Sequence, residues 1–288
     1  MPDPTPTAIE YRLLNPPDRD HYLKRQWHID TLIKLGGVKG TTVSPCHEIG
    51  KPTITGVAKT FGLGEADRYR SEVEAFERAN LADVPHLVKV LDNGYDPRGG
   101  NAARPMLVEE YARGEELSKI LRKDPASVSS AEKIIILWKY LETLTAQQNA
   151  GLVETDPKLE NVFYDPSDFS ITVVDLAQCV VFPSKEVAKQ EATQSLFRRN
   201  ARVWQSEKPK WLKQPIAPIA GFITTLYDGP DVDSRVYGAM LEKGSLDRKN
   251  IKTSIPLHME KALVDVAQER IGGIDELIKA IQKYSKDR

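Results

Sequence analysis

The spacing of apolar residues changes near Tyr111, and this change most restricts the folds open to the chain. Up to that residue, short β-rich runs alternate with glycine and proline turns. Beyond it, most apolar residues recur with helical spacing. The sequence therefore predicts an α+β fold in which a small β-rich lobe precedes a larger, mainly helical lobe.

The β-rich part is predicted to contain five antiparallel strands and one helix. Val73, Phe76 and Leu81 recur on one face of a helix predicted over residues 64–81. Gly50-Lys51-Pro52 is typical of a turn, which favours a hairpin around it. The strands are predicted at residues 31–35, 41–49, 54–61, 87–91 and 105–111.

The domain boundaries follow from composition. Residues 1–20 carry five prolines and few apolar positions, so they are predicted to form an N-terminal arm. One domain is predicted over residues 21–288, with the first lobe at about 21–110 and the second at about 111–288.

Several helices are predicted in the second lobe. Ser129 and Glu132 have the spacing of a capping box before a helix that extends to Gln148. Further helices are predicted at 115–122, 233–243 and about 256–284, the last interrupted at Gly272-Gly273, and two short β segments at 161–164 and 170–174.

Composition disfavours several classes of protein. With 40 basic and 41 acidic residues the chain has no overall field to attract nucleic acid or a membrane surface. Two cysteines are too few for a disulfide framework, and no apolar run approaches the ~20 residues of a membrane span. Residues 1–6 do not have the pattern of a signal peptide. We expect a soluble, cytoplasmic protein with free thiols that binds neither nucleic acid nor membrane.

Four polar residues form the main candidate site. Asp156, Lys158 and Asn161 lie on one predicted loop, and Asp175 follows a predicted strand. Phosphoryl transfer requires a carboxylate to receive the hydroxyl proton, oxygen ligands for magnesium, and cations near the transferring phosphoryl group. This set supplies each of those types.

The loop Asp156-Pro-Lys158-Leu-Glu-Asn161 resembles the catalytic loop of the serine/threonine (Hanks-type) protein kinase family, which reads His-Arg-Asp-Leu-Lys-x-x-Asn. The chain as a whole resembles a divergent member of that family. The resemblance implies a bilobal fold that uses ATP and Mg²⁺. Asp156 would be the catalytic base and Lys158 a contact to the transferring phosphate. Asn161 and Asp175 would be the metal ligands.

Matching motifs precede the loop in the family's order. Gly56-Val-Ala-Lys59 resembles the strand whose lysine contacts the ATP phosphates, and Glu72 would pair with that lysine, with Glu74 as a rival. The resemblance further implies that the glycines at 36, 37 and 40 cover the phosphates. Backbone groups at about Glu110 and Ala112 would bind adenine. Asp233 would anchor a helix that supports the catalytic loop.

The chain also departs from the family pattern. Glu154-Thr155 replaces His-Arg, Leu176-Ala177 replaces Phe-Gly, and the glycine spacing is irregular. The family arginine pairs with a phosphate on the activation loop. Because threonine stands in its place, activity is predicted not to depend on phosphorylation through that contact.

Three functions remain open at this point. The first is transfer of phosphate from ATP to a serine or threonine hydroxyl of a protein substrate, which Lys158 favours. The second is a pseudokinase that acts as a binding module or scaffold, which the altered motifs favour. The third is a small-molecule kinase of the same fold. The substrate, the oligomeric state and the role of residues 178–230 cannot be inferred from the sequence.

Overall fold

The computed structural model describes residues 22–37, 40–96, 104–198 and 217–286. It divides the chain into two compact units. The first contains the described residues up to Phe76 together with Val88–Tyr111, and the second contains Glu77–Leu87 and the described residues from Ala112 onward. The predicted α+β class is confirmed: the described residues contain antiparallel sheets and eight α-helices.

The first unit is built on a five-stranded antiparallel sheet with the order β1-β2-β3-β5-β4. Helix α1, Ala66–Leu81, follows a 3-10 turn at Leu63–Glu65 and continues into the second unit. The strands are β1 (Trp27–Ile29), β2 (Thr41–Glu48), β3 (Lys51–Phe61), β4 (Val90–Tyr95) and β5 (Pro105–Glu110).

A buried carboxylate fixes the start of this sheet. Asp92 on β4 accepts hydrogen bonds from the backbone N–H groups of Lys24 and Arg25 and from the indole Nε1 of Trp27. Trp27 in turn packs with Cys46 and other buried residues of the sheet. A buried carboxylate needs such donors, because burial without them would cost several kcal/mol. Asp92 thereby holds the chain before β1 against β4.

The strand predicted at 31–35 is wrong. Residues 31 and 32 form a turn, and Leu32 is 95% exposed. The edge strand is instead β1, whose register pairs His28 with His47 of β2. The strand predicted at 87–91 lies later, at Val90–Tyr95. The other three strands of the sheet lie close to their predicted positions.

The second unit is mainly helical. Its helices are α2 (Leu117–Lys123), α3 (Ser130–Asn149), α4 (Lys185–Leu196), α5 (Pro218–Asp228), α6 (Ser234–Glu242), α7 (Leu257–Ala267) and α8 (Ile274–Lys286). The unit also contains two small antiparallel sheets. One has the order β6-β8-β9, and the other pairs β7 with β10. Their strands are β6 (Glu115–Glu116), β7 (Leu152–Glu154), β8 (Val162–Asp165), β9 (Ser170–Val173) and β10 (Cys179–Val181).

The long helix α3 organises the core of this unit. The predicted capping box is confirmed, since the Ser129 hydroxyl accepts from the Glu132 N–H and the Glu132 carboxylate accepts from the Ser129 N–H. Farther along α3, the ring of Tyr140 stacks on Phe222 of α5 with centroids 4.2 Å apart. The predicted helices at 233–243 and 256–284 correspond to α6 and to the pair α7 and α8.

Helices α4 and α5 were not predicted from the sequence. They lie in the segment 178–230, of which residues 199–216 are outside the described residues. The basic and aromatic stretch that begins at Phe197 therefore lies mostly outside them as well. Its first residue is fully buried, and Arg198 donates to the carbonyl of Glu269. The start of that stretch is thus part of the packed structure.

Candidate active site

The pairing of β7 with β10 brings the two predicted parts of the site together. In its register Glu154, the last residue of β7, lies opposite Cys179, the first residue of β10. The Thr155 hydroxyl also donates to the carbonyl oxygen of Gln178 at 2.8 Å. The loop that begins at Thr155 and the segment that ends at Gln178 therefore lie side by side.

Asp156 is exposed and Lys158 is half-buried. The Lys158 ammonium nitrogen lies 3.2 Å from a carboxylate oxygen of Asp156. The side chain of Asp156 is 56% exposed and that of Lys158 is 36% exposed. An ion pair this exposed contributes little to stability. Both groups are accessible to a molecule that approaches from solvent.

The hairpin of β8 and β9 brings Asn161 close to Asp175. Asn161 ends a 3-10 turn at Leu159–Asn161 and is buried. Its backbone carbonyl accepts a hydrogen bond from the N–H of Val174 at 2.9 Å. Val174 directly precedes Asp175 in the chain. This hydrogen bond therefore holds the backbone of one predicted metal ligand, Asn161, next to the residue before the other.

Asp175 has an uncommon backbone conformation. Its φ angle is +65°, in the left-handed region that aspartate tolerates better than most residues. One carboxylate oxygen accepts from the N–H of Ala177 at 3.2 Å, and the adjacent Leu176 is fully buried. Residues held in this region concentrate at functional sites. The conformation fixes the direction in which the chain leaves β9.

Glu154 is a residue of the site whose partners could not be inferred from the sequence. Its carboxylate is buried and accepts hydrogen bonds from the Asp156 N–H at 2.8 Å and from the Cys179 thiol at 3.5 Å. Burial raises the pKa of Glu154 to about 7, and the charges of Asp156 and Asp175 act in the same direction. Those two hydrogen bonds oppose the increase.

The predicted ion pair of the first unit is present. The Lys59 ammonium lies 2.5 Å from the Glu72 carboxylate, and the two side chains are 9% and 0% exposed. Lys59 comes from β3 and Glu72 from α1, so the pair joins the helix to the sheet. The rival, Glu74, lies on the exposed face of the helix.

The predicted glycine loop is only partly described, since residues 38 and 39 lie outside the described residues. Gly37 and Gly40 have φ angles of +125° and +87°. A Cβ at Gly37 would lie 2.3 Å from the carbonyl oxygen of Thr41. Gly36 forms an isolated antiparallel bridge with Val43 and has open space around it. At positions 37 and 40 the backbone therefore requires glycine.

The predicted adenine-binding segment follows β5. The N–H of Glu110 donates to the carbonyl of Lys89 at 2.9 Å. The backbone N–H of Glu110 is therefore already paired within the first unit. Ala112 is half-buried and belongs to the second unit.

The predicted role of Asp233, to anchor a helix that supports the catalytic loop, stays a prediction. Its carboxylate accepts from the N–H of Arg235 and caps α6, its own helix. Helices α2 and α5 pack against the 3-10 turn of the predicted catalytic loop. Helix α5 is apolar on almost every side and therefore lies inside the unit, where it can reach this turn.

Two further properties concern the described residues as a whole. Among them, no helix combines the length and the apolar character that crossing a bilayer requires. Within the same ranges, no three His, Cys, Asp or Glu side chains are grouped as a metal cage. Both cysteines are buried free thiols, as predicted.

Comparison with known proteins adds no family assignment. No protein-family model matches the chain, and no curated protein matches it in sequence. The function proposed for the chain therefore depends on its own residues and their geometry.

Proposed function

We propose that the chain is a phosphotransferase of bilobal, protein-kinase-like fold that uses ATP and Mg²⁺ to phosphorylate a serine or threonine hydroxyl of a protein. One observation carries the proposal. The solvent-accessible ion pair of Asp156 and Lys158 and the oxygen donors Asn161 and Asp175 lie on two segments that are joined by hydrogen bonds. Proton acceptor, cation and metal-ligand types are the set that phosphoryl transfer uses.

The donor set fits magnesium. Asn161 and Asp175 offer an amide oxygen and a carboxylate, which are the hard ligands that Mg²⁺ prefers. Magnesium is commonly held by one or two protein groups together with substrate phosphates, so a cage of three side chains is not needed. When bound, the ion offsets negative charge on the phosphates. The left-handed backbone at Asp175 and the fixed hairpin before it would hold the carboxylate in place.

Each remaining residue has a defined task. Asp156 accepts the proton of the substrate hydroxyl, and its exposure leaves room for a protein side chain to approach. Lys158 supplies positive charge beside it, where negative charge would develop. Lys59, held by Glu72, is proposed to contact the phosphates of ATP.

A protein substrate is favoured over a small molecule by Lys158. In the family that the loop resembles, protein kinases acting on serine or threonine carry lysine two residues after the base. Relatives that act on small molecules usually carry histidine there. A labelled-ATP assay with generic protein substrates and with a panel of hydroxylated metabolites distinguishes the two. Transfer to metabolites alone would contradict the protein-kinase proposal.

The role of Asp156 is tested by Asp156→Asn. The amide keeps the shape but accepts no proton, so turnover should fall by about 10²–10⁴-fold while ATP binding is retained. Asp231→Asn, which changes an exposed carboxylate near Arg122, is the matched control and should keep wild-type turnover. Wild-type turnover in Asp156→Asn would exclude the role of catalytic base.

The role of Asp175 is tested by Asp175→Ala and calorimetry. Nucleotide affinity should fall in the presence of magnesium and change little without it, since only the metal contact is removed. If the wild-type protein binds ATP with magnesium but transfers phosphate to no substrate, the proposed activity is wrong and a scaffold function replaces it.

A further inference from the structure

The Glu154 carboxylate lies where β7, the loop after it and β10 meet. One of its oxygens accepts from the backbone N–H of Asp156, and the other accepts from the thiol of Cys179. The side chain is 5% exposed. A buried carboxylate that bonds the N–H two residues ahead restricts the backbone of that residue directly. Here that residue is Asp156.

The groups that act on Glu154 come from several elements. Cys179 of β10 and the N–H of Asp156 donate to it, and the charges of Asp156 and Asp175 repel it. Tyr140 of α3 is also close enough to respond. Burial raises the pKa of that phenol well above its usual value, and the charge of Glu154 adds to the effect. Each of these side chains is an acid, so ionisation of Glu154 places one more negative charge among them.

We propose that Glu154 is a positioning residue for Asp156, and that its ionisation increases the order of the backbone that carries the Asp156 carboxylate. The proposal rests on the proposed phosphotransferase function. It assigns to this chain a pH-dependent control of the loop that the sequence alone did not reveal.

The hydrogen bonds of Glu154 link its ionisation to the order of Asp156. The ionised carboxylate only accepts, so its bonds to Asp156 and Cys179 become charge-assisted and shorter. The protonated carboxyl has to donate through one oxygen, so one of its two accepted bonds must weaken or reverse.

Turnover as a function of pH tests the proposal. In the wild-type protein, burial of Glu154 raises its pKa to about 7, so turnover should rise through that pH. The rise should be on the order of tenfold, the factor expected from one strengthened hydrogen bond. Glu154→Gln keeps an acceptor for the Asp156 N–H but does not titrate. Its turnover should stay near the low-pH level of the wild-type protein between pH 6 and about 8.

Two further variants complete the test. Glu154→Ala loses the acceptor, so its turnover should be lowest at every pH. Glu77→Gln changes an exposed glutamate of α1 and should keep the wild-type profile. A wild-type pH step in Glu154→Gln, or wild-type turnover in Glu154→Ala, would overturn the proposal.

Hydrogen exchange of the Asp156 amide, measured by NMR, gives a readout that does not require activity. The amide should exchange more slowly in the wild-type protein and in Glu154→Gln than in Glu154→Ala. Should the wild-type protein transfer no phosphate, the phosphotransferase function fails, and this measurement still decides the positioning role. Equal exchange rates in the three proteins would overturn it.

Discussion

The buried ion pair of Lys59 and Glu72 makes a prediction about stability. Lys59→Met removes the cation beside a fully buried carboxylate. Loss of one member of a buried pair typically costs about 3–5 kcal/mol, because the remaining charge is poorly compensated. We expect a loss of about 3 kcal/mol in the free energy of unfolding, measured by urea denaturation.

A double variant distinguishes the cost of an unpaired buried charge from the loss of the ion pair itself. Combining Lys59→Met with Glu72→Leu replaces both charges by apolar groups and should recover much of the loss. Glu74→Gln, on the exposed face of the same helix, should stay within about 0.5 kcal/mol of the wild-type protein. Equal destabilisation by Glu74→Gln and Lys59→Met would contradict the assigned partner.

Glu154 predicts how stability depends on pH. Burial raises its folded-state pKa to about 7, above the ordinary value of 4.5. Between these values the unfolded chain loses the proton and the folded chain keeps it, so stability falls as pH rises. From pH 5 to pH 8 the wild-type protein should lose about 2–3 kcal/mol more than Glu154→Gln does. Denaturant unfolding of both proteins at the two pH values measures this difference, and parallel pH dependences would show that Glu154 does not titrate in this range.

The partners of some side chains could be predicted from the sequence, and those of others could not. Glu72 was predicted from the family resemblance, with Glu74 left as a rival. The structure places Glu72 on the buried face of α1 and Glu74 on the exposed face. The partners of Glu154 could not be found in this way. One of them, Cys179, lies 25 positions away and is brought there by the pairing of β7 with β10. Local spacing carries no information about that register.

The elements show the same distinction between local and long-range information. The capping box of α3 and the hairpin of β2 and β3 are encoded within a few residues, and both were predicted from the sequence. Strand β1 was missed, because Trp27 is held by Asp92 across the sheet whereas the apolar side chains of Leu32, Ile33 and Leu35 are exposed. Helix α5 was missed because it is short and has no exposed residue, so it lacks the polar face that marks a surface helix in the sequence.

A glycine at the start of the sheet β6-β8-β9 makes a prediction at the scale of the element. Gly114 has a φ angle of +83°, and a Cβ there would lie 2.1 Å from the carbonyl oxygen of Tyr164 on β8. Gly114→Ala should therefore force β6 away from β8 and cost about 1–3 kcal/mol or more in unfolding free energy. Gly64→Ala, with open space around the added methyl group, is the matched control. Equal stability of the two variants would show that β6 tolerates displacement.

At the scale of the whole molecule, the candidate residues are shared between the two units. Lys59, Glu72 and the three glycines belong to the first unit, and Asp156, Lys158, Asn161 and Asp175 belong to the second. The order of the motifs along the chain could be predicted from sequence. The hydrogen bonds that organise each set could not, because they depend on strand register and on burial. The departures Glu154 and Thr155 acquire a physical meaning only through those bonds.

Thr155 leads to a prediction for the regulation of the whole protein. The Thr155 hydroxyl donates to the carbonyl of Gln178, so this connection between the loop and the segment after Asp175 requires no phosphate. Protein treated with a phosphatase should therefore keep its turnover within about twofold of untreated protein, because one neutral hydrogen bond replaces the phosphate contact. Thr155→Val removes the donor at nearly constant shape and should lower turnover by roughly fivefold, whereas Thr155→Ser should retain it. The assay compares the four samples at saturating ATP. A strict gain of activity on phosphorylation of any residue between 178 and 230 would show that the loop needs a phosphate after all.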